Sequence, residues 1–274
     1  MKRFLFSILA CSVALFAYSD ADLDGVDDSV DQCPNTPITD LVDKNGCSIK
    51  SVITEHHFDI IAGLAYSQFN YRRNDASDTW TTSLQADWYY GNYSAQLSTS
   101  YYSTDSDSYS DSGMNDTSLT GYYTFQNVVP GLNVQVGAGV IFPTYDAYYG
   151  NNNADYAASI FGNYSLGETS LFGGYTFTYI GDDDVELADG GRIEYQNTNA
   201  FNVGAGYHFT SRLYASLSYF HSDSIYKSVD AIENISLYGF YSVDTHWFLT
   251  GSYAYGLNDA TSDNYFALRV GYYF

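Results

Sequence analysis

Tyr265-Phe-Ala-Leu-Arg-Val-Gly-Tyr-Tyr-Phe274 is the stretch that decides how this chain is read. Phe266, Leu268, Val270, Tyr272 and Phe274 share one parity; Ala267, Arg269, Gly271 and Tyr273 share the other. A period of two sends successive side chains to opposite faces of a strand. One face is therefore wholly apolar, while the other carries small residues and an arginine. That division suits a strand with hydrocarbon on one side and a polar lumen on the other.

Working outward, eleven more alternating segments precede it, at 57–69, 80–90, 93–103, 117–126, 132–142, 156–165, 169–180, 199–209, 213–222, 234–242 and 246–256. Most have the nine to eleven residues that a tilted strand needs to cross a bilayer. Phe201, Val203, Ala205, Tyr207 and Phe209 oppose Asn202, Gly204, Gly206 and His208. Asp59, Asp87 and Arg269 are the charges inside these segments, and all three fall on the non-lipid parity. A cation at the lipid midplane would cost roughly 2–4 kcal/mol, so a barrel requires that placement.

The connections alternate in length. Arg72–Thr79, Thr104–Asp116, Pro143–Asp155, Gly181–Thr198, Asp223–Glu233 and Leu257–Tyr265 are long. Gly91-Asn92, Asn127–Gly131, Leu166–Glu168, Thr210–Arg212 and Val243–Thr245 are short. With the N-terminal end in the periplasm, every short turn lies there and every long loop outside, as in outer-membrane barrels. Trp80 then falls in the outer aromatic girdle, and Trp88 and Trp247 in the inner one. The fold expected over residues 56–274 is all-β, a twelve-stranded antiparallel transmembrane β-barrel. A soluble sandwich is the alternative, but it would expose a sheet of tyrosines.

Composition agrees. The chain has 30 Tyr and 23 Gly among 274 residues, and 18% of it is aromatic. A net charge of −22 argues against nucleic acid as a partner. Residues 1–19 read as a signal peptide: Lys2 and Arg3, an apolar run from Phe4 to Ala17, then small residues at Ala17 and Ser19. A lipoprotein reading would lipidate Cys11, but the apolar run continues past it.

Residues 20–50 form a different module. Asp20-Ala-Asp-Leu-Asp-Gly-Val-Asp-Asp-Ser-Val-Asp31 follows the calcium-loop pattern D-x-D-x-D-G. Asp20, Asp22, Asp24, Asp28 and Asp31 offer side-chain oxygens, Val26 its carbonyl, and Gly25 the sharp turn. Ca2+ here would be structural, because so small a segment lacks a core. The alternative is a solvated acidic linker. Cys33 and Cys47 are the thiols left after signal removal, and two cysteines in an exported chain form one disulfide. The segment resembles a thrombospondin type 3 repeat, of the kind that links barrels to peptidoglycan-binding domains. Here the repeat precedes the barrel.

Within the barrel, the inward parity includes Gln85, Asp87, Tyr89, Gln96, Asn133, Gln135, Asn163, Asn202, His208, Tyr238 and Arg269. With Asp59 these are the candidate lumen residues. Twelve strands lie between a filled eight-stranded barrel and a sixteen-stranded aqueous channel. Small neutral inward residues favour passage of small solutes, and the absence of arginine ladders argues against acidic sugars. Arg269 is expected to pair with Asp59 or Asp87 across the seam between first and last strands. Most acidic residues lie in the outer loops, where they could attract cations or reach lipopolysaccharide through divalent ions. Their alternative role is hydration alone.

An enzyme is the competing class, since some outer-membrane barrels hydrolyse lipid with His and Ser at the rim. Tyr219-Phe-His-Ser-Asp-Ser224 is the one candidate, but Asp223 stands where such enzymes carry serine. No nucleophile–base–orienter set is present. A non-conducting structural barrel is the third class.

Three segments resemble outer-membrane barrels of the meta-pathway phenol-degradation "transporter" family: Gly113-Met-Asn-Asp-Thr-Ser-Leu119, Gly139-Val-Ile-Phe-Pro-Thr144 and Ser170–Asp182. That resemblance implies movement of small organic compounds. The aromatic at position 274 is similar to the terminal signal read by the barrel-assembly machinery.

Overall fold

The computed structural model describes residues 56–71, 75–107, 109–145, 153–187 and 190–274, together with Gln32 and Asn45. The calcium-loop positions Asp20, Asp22, Asp24, Val26, Asp28 and Asp31 lie outside the described residues, as do Cys33, Cys47 and the signal segment. The chain divides into units 1–54 and 55–274, and every described strand belongs to the second.

These strands are β1 (His56–Tyr71), β2 (Asp75–Tyr90), β3 (Tyr93–Ser106), β4 (Ser110–Met114), β5 (Thr117–Val129), β6 (Leu132–Phe142), β7 (Asp155–Leu166) and β8 (Thr169–Tyr179). They continue with β9 (Val185–Glu186), β10 (Arg192–Ile193), β11 (Thr198–His208), β12 (Leu213–Ser222), β13 (Ile232–Ser242), β14 (Trp247–Gly256) and β15 (Asn264–Tyr273). The order β2-β1-β15-β14-β13-β12-β11-β8-β7-β6-β5-β3 returns on itself through the β2–β3 pairing. This is a closed twelve-stranded antiparallel barrel. Closure leaves no unpaired edge, which a sheet in hydrocarbon cannot tolerate.

The seam joins β1 to β15 in unbroken register from Asp59↔Tyr273 to Gln68↔Asn264. The Phe274 N–H adds one more bond to the Phe58 carbonyl at 2.8 Å. Outward side chains along the seam are apolar and exposed, with Leu64 at 51% and Leu268 at 57%. Of their inward neighbours, Ala267 is hidden at 2% and Gly271 is buried, while Arg269 is exposed to the lumen. A protein whose large apolar residues lie outside has its hydrophobic solvent there too.

Two expected outer loops are largely strand. β1 and β2 pair up to Tyr71↔Asp75, so most of the expected Arg72–Thr79 loop belongs to β2. β4 pairs back on β3 from Tyr101↔Met114 to Asp105↔Ser110, which turns much of Thr104–Asp116 into a hairpin. Asn115 bridges β4 to β5, its N–H donating to the Ser100 carbonyl at 2.8 Å. Polar strands such as 101–114 carry no apolar alternation, because both faces of the hairpin meet water. On the side of the short turns, β5 continues to Val129 with a register shift after Phe125, and Asn127 takes a left-handed φ of 49° there. The turn itself is Pro130-Gly131.

The connection from β8 to β11 is structured. β9 and β10 pair, and Asp184 accepts from the Arg192 guanidinium at 2.7 Å and the Tyr195 N–H at 3.0 Å. Tyr195 bridges to Tyr226 in the connection from β12 to β13. Gln196 adds a bond to the Ser224 carbonyl at 2.9 Å. These two outer loops are thus zipped together by backbone and amide groups.

Candidate functional site

The space enclosed by the ring is the candidate site, and alternation decides what lines it. On β6, Asn133 and Gln135 face in, and Gln135 donates to the Thr124 hydroxyl at 3.2 Å. Asn202 on β11 borders two cavities, of about 630 and 340 Å3. His208 stands at the short-turn end of β11, beside another of about 340 Å3 with Asn163, Ser170 and Tyr238. Tyr214 closes that side, its hydroxyl 3.1 Å from the Ser170 hydroxyl. Two smaller hollows, of about 180 and 170 Å3, lie along β1–β3 and along β2, β3, β5 and β6.

Phenylalanine on the inward face is what the sequence reading missed. Phe161, Phe172 and Phe248 point into the barrel, each directly opposite an inward glycine on the next strand: Gly174, Gly204 and Gly271. Tyr122 lies over Gly137 in the same way. A Cβ at any of these glycines would overlap the ring. The missing side chain lets an aromatic lie flat on the wall instead of standing across the lumen. The signal was present as Gly-rich inward parity beside inward aromatics, but it needs strand register to be paired. Phe69, Phe161, Phe220 and Tyr265 wall the cavity of about 630 Å3 alongside Asn202, Asn234, Ser218 and Ser236.

Charged lumen residues separate by height. Asp59 and Asp87 face each other across the β1–β2 pair near the short-turn end, and both are buried. Asp87 accepts from the Gln85 amide at 2.8 Å and the Gln96 amide at 3.0 Å. Asp59 lies 3.3 Å from Nε2 of His57, whose ring stacks on Tyr89. The expected Arg269–carboxylate pair does not form. Arg269 sits opposite Gly63, four residues along the strand from the Asp59 level. At about 3.4 Å per residue that is too far for contact. The rise along a strand, invisible when only parity is counted, separates them.

The outer girdle repeats one motif. Tyr66, Tyr175, Tyr219 and Tyr253 each donate their hydroxyl to a polar side chain one row further out on the next strand. The acceptors are Asp78 (2.7 Å), Asn199 (2.6 Å), Glu233 (3.1 Å) and Asn264 (2.8 Å). Amphipathic rings at a lipid–water boundary behave this way. His221 belongs to the same rim, 3.2 Å from Glu233 and 3.6 Å from Asp223. Asp223 also accepts from the Asn199 N–H at 3.0 Å and amide at 2.8 Å, which holds its carboxyl below the usual carboxylate range. The nearby serines turn elsewhere: Ser222 donates to the Asp223 carbonyl and Ser224 is buried.

A closed ring with a lipid-type exterior and a partly hollow interior is the architecture of an outer-membrane β-barrel. Among solved structures the chain is similar to an outer-membrane channel from Pseudomonas putida F1, with a TM-score of 0.64 and 11% identity over 80% of this chain and 95% of that one. It is similar also to the NanC porin, with a TM-score of 0.51 and 12% identity over 79% of this chain and 98% of the porin. A third likeness is the translocator domain of the autotransporter NalP from Neisseria meningitidis, with a TM-score of 0.50 and 12% identity over 79% and 88% of the two chains. These likenesses are of fold. No protein-family model matches the chain, and no curated protein matches it.

Proposed function

We propose that this chain is an outer-membrane channel that passes small organic solutes. The observation that carries the proposal is the run of cavities inside the closed ring, walled by amides, hydroxyls and flat-lying aromatic rings. Amide and hydroxyl groups exchange hydrogen bonds with a passing solute, and aromatic faces contact its apolar parts. Those rings lie against the wall, so they narrow the bore without filling it. The two fold neighbours named as a channel and a porin support the same reading.

In this reading the apolar belt meets outer-membrane lipid, and the acidic outer loops contact lipopolysaccharide through divalent ions. The terminal strand is the handle for the barrel-assembly machinery. Residues 20–31 hold a structural Ca2+ in the periplasm beside a Cys33–Cys47 disulfide. Single-channel recording of the refolded full chain in planar bilayers tests the proposal. Discrete current steps are expected, and a silent barrel would overturn it in favour of a structural role.

A further inference from the structure

Among the described residues, Arg269 is the one cationic side chain on the inner wall of the barrel. Arg192 is held by Asp184 in an outer loop, Lys227 lies near Glu194, and Arg212 reaches the Val243 carbonyl at the periplasmic rim. Arg269 is exposed to the lumen and makes no ion pair among the described residues. Its stem crosses Gly63, whose absent side chain would meet Arg269 Cγ at 2.7 Å. Any larger residue at position 63 would push the guanidinium off the wall.

Arg269, Gly63, Ser83 and Ser100 form one row across four adjacent strands. Asp116 lies just beyond, in the break between β4 and β5. Arg269 and Asp116 line the same hollow of about 180 Å3, with Ser83, Gln85, Ser98 and Ser100 between them. No ion pair joins the two. Asp116 accepts the Tyr145 N–H on Oδ1 at 3.0 Å, and among the described residues Oδ2 has no partner. The row of glycine and serines keeps the two charges apart while leaving room for a solute.

The geometry points to a binding site for a small zwitterion, with its carboxylate on Arg269 and its ammonium group on Asp116. Guanidinium suits a carboxylate because its planar N–H fork meets both oxygens. Intervening hydroxyls satisfy whatever polar atoms face the wall. The acidic outer loops repel simple anions, whereas a carboxylate carried by a solute without net charge meets no net repulsion from that field. This inference deepens the channel proposal by naming a solute class, and rests on it for the route by which solute arrives.

Titration calorimetry of the detergent-purified full chain with 4-aminobutyrate, butyrate and butylammonium as probes tests the site directly. We expect 4-aminobutyrate to bind most tightly. Arg269→Gln should weaken 4-aminobutyrate and butyrate by about tenfold, as loss of a charge-assisted hydrogen bond implies, and leave butylammonium unchanged. Asp116→Asn should weaken 4-aminobutyrate and butylammonium but spare butyrate. Equal affinity for butyrate and 4-aminobutyrate, no heat from the wild type, or indifference to both substitutions would overturn the inference. Should Arg269→Gln fail to fold, Arg269→Lys, which keeps the charge and loses the fork, takes its place with a smaller loss. Bilayer current separates the two proposals: current without binding sinks the site and keeps the channel, whereas binding without current does the reverse.

Discussion

Leu217→Arg and Ser218→Arg are neighbouring substitutions that should behave as if made in two different proteins. Leu217 on β12 is 57% exposed, and its strand partners Ala205 and Leu237 share its outward face. It lies in the middle of the apolar belt. Ser218, one residue on, borders the cavity of about 630 Å3. An arginine at the lipid midplane costs roughly 2–4 kcal/mol, against about zero for one that reaches lumen water. At 1.4 kcal/mol per tenfold, the outward variant should lose roughly thirtyfold or more in its folded-to-unfolded ratio. Reversible urea titration in phospholipid vesicles, followed by tryptophan emission, measures both. Costs equal within about 1 kcal/mol would refute the assignment of inside and outside.

Other consequences concern single elements. Gly174→Ala places a methyl in the space that the Phe161 ring occupies, so the ring must swing inward. A loss of roughly 1–3 kcal/mol and a lower single-channel conductance are expected, with the conductance restored by adding Phe161→Leu. In the short turn from β13 to β14, Asp244 accepts the His246 and Trp247 N–H groups, both at 2.8 Å, and these bonds hold its carboxyl below the ordinary value of 3.8. Its folded value being depressed, its contribution is present above 3.8 and fades as pH falls through the folded value. The stability gap between wild type and Asp244→Ala should therefore be full at pH 6 and closed in strong acid, as urea titrations across pH would reveal. For the N-terminal module, terbium luminescence should report ion binding that Asp24→Ala abolishes, while thiol titration of the unreduced mature protein should find neither Cys33 nor Cys47 free.

Legibility followed physical cause. Strands such as β6 and β12 matched their sequence spans residue for residue, because the outward parity of each stays mainly apolar while its inward parity carries most of the polar and small residues. β2 and β4 were read as loop where they run beyond the membrane, since a strand wetted on both faces has no alternation to show. The lumen was half legible. Parity brought Gln135, Asn202, His208 and Arg269 to one face, yet it could not tell that Phe161 would fold flat over Gly174.

What the amino-acid order determined unaided was the count of crossings, the face each residue presents and the side on which turns are short. Those depend on neighbours within one strand, where a two-residue period and the contrast between lipid and water act locally. What only the closed ring decided was who meets whom: Arg269 beside Gly63 instead of Asp59, rings over glycines, and a carboxylate facing a guanidinium across a row of serines. Such meetings depend on register between strands, and register is set when the whole cylinder closes and every backbone group must find its partner at once.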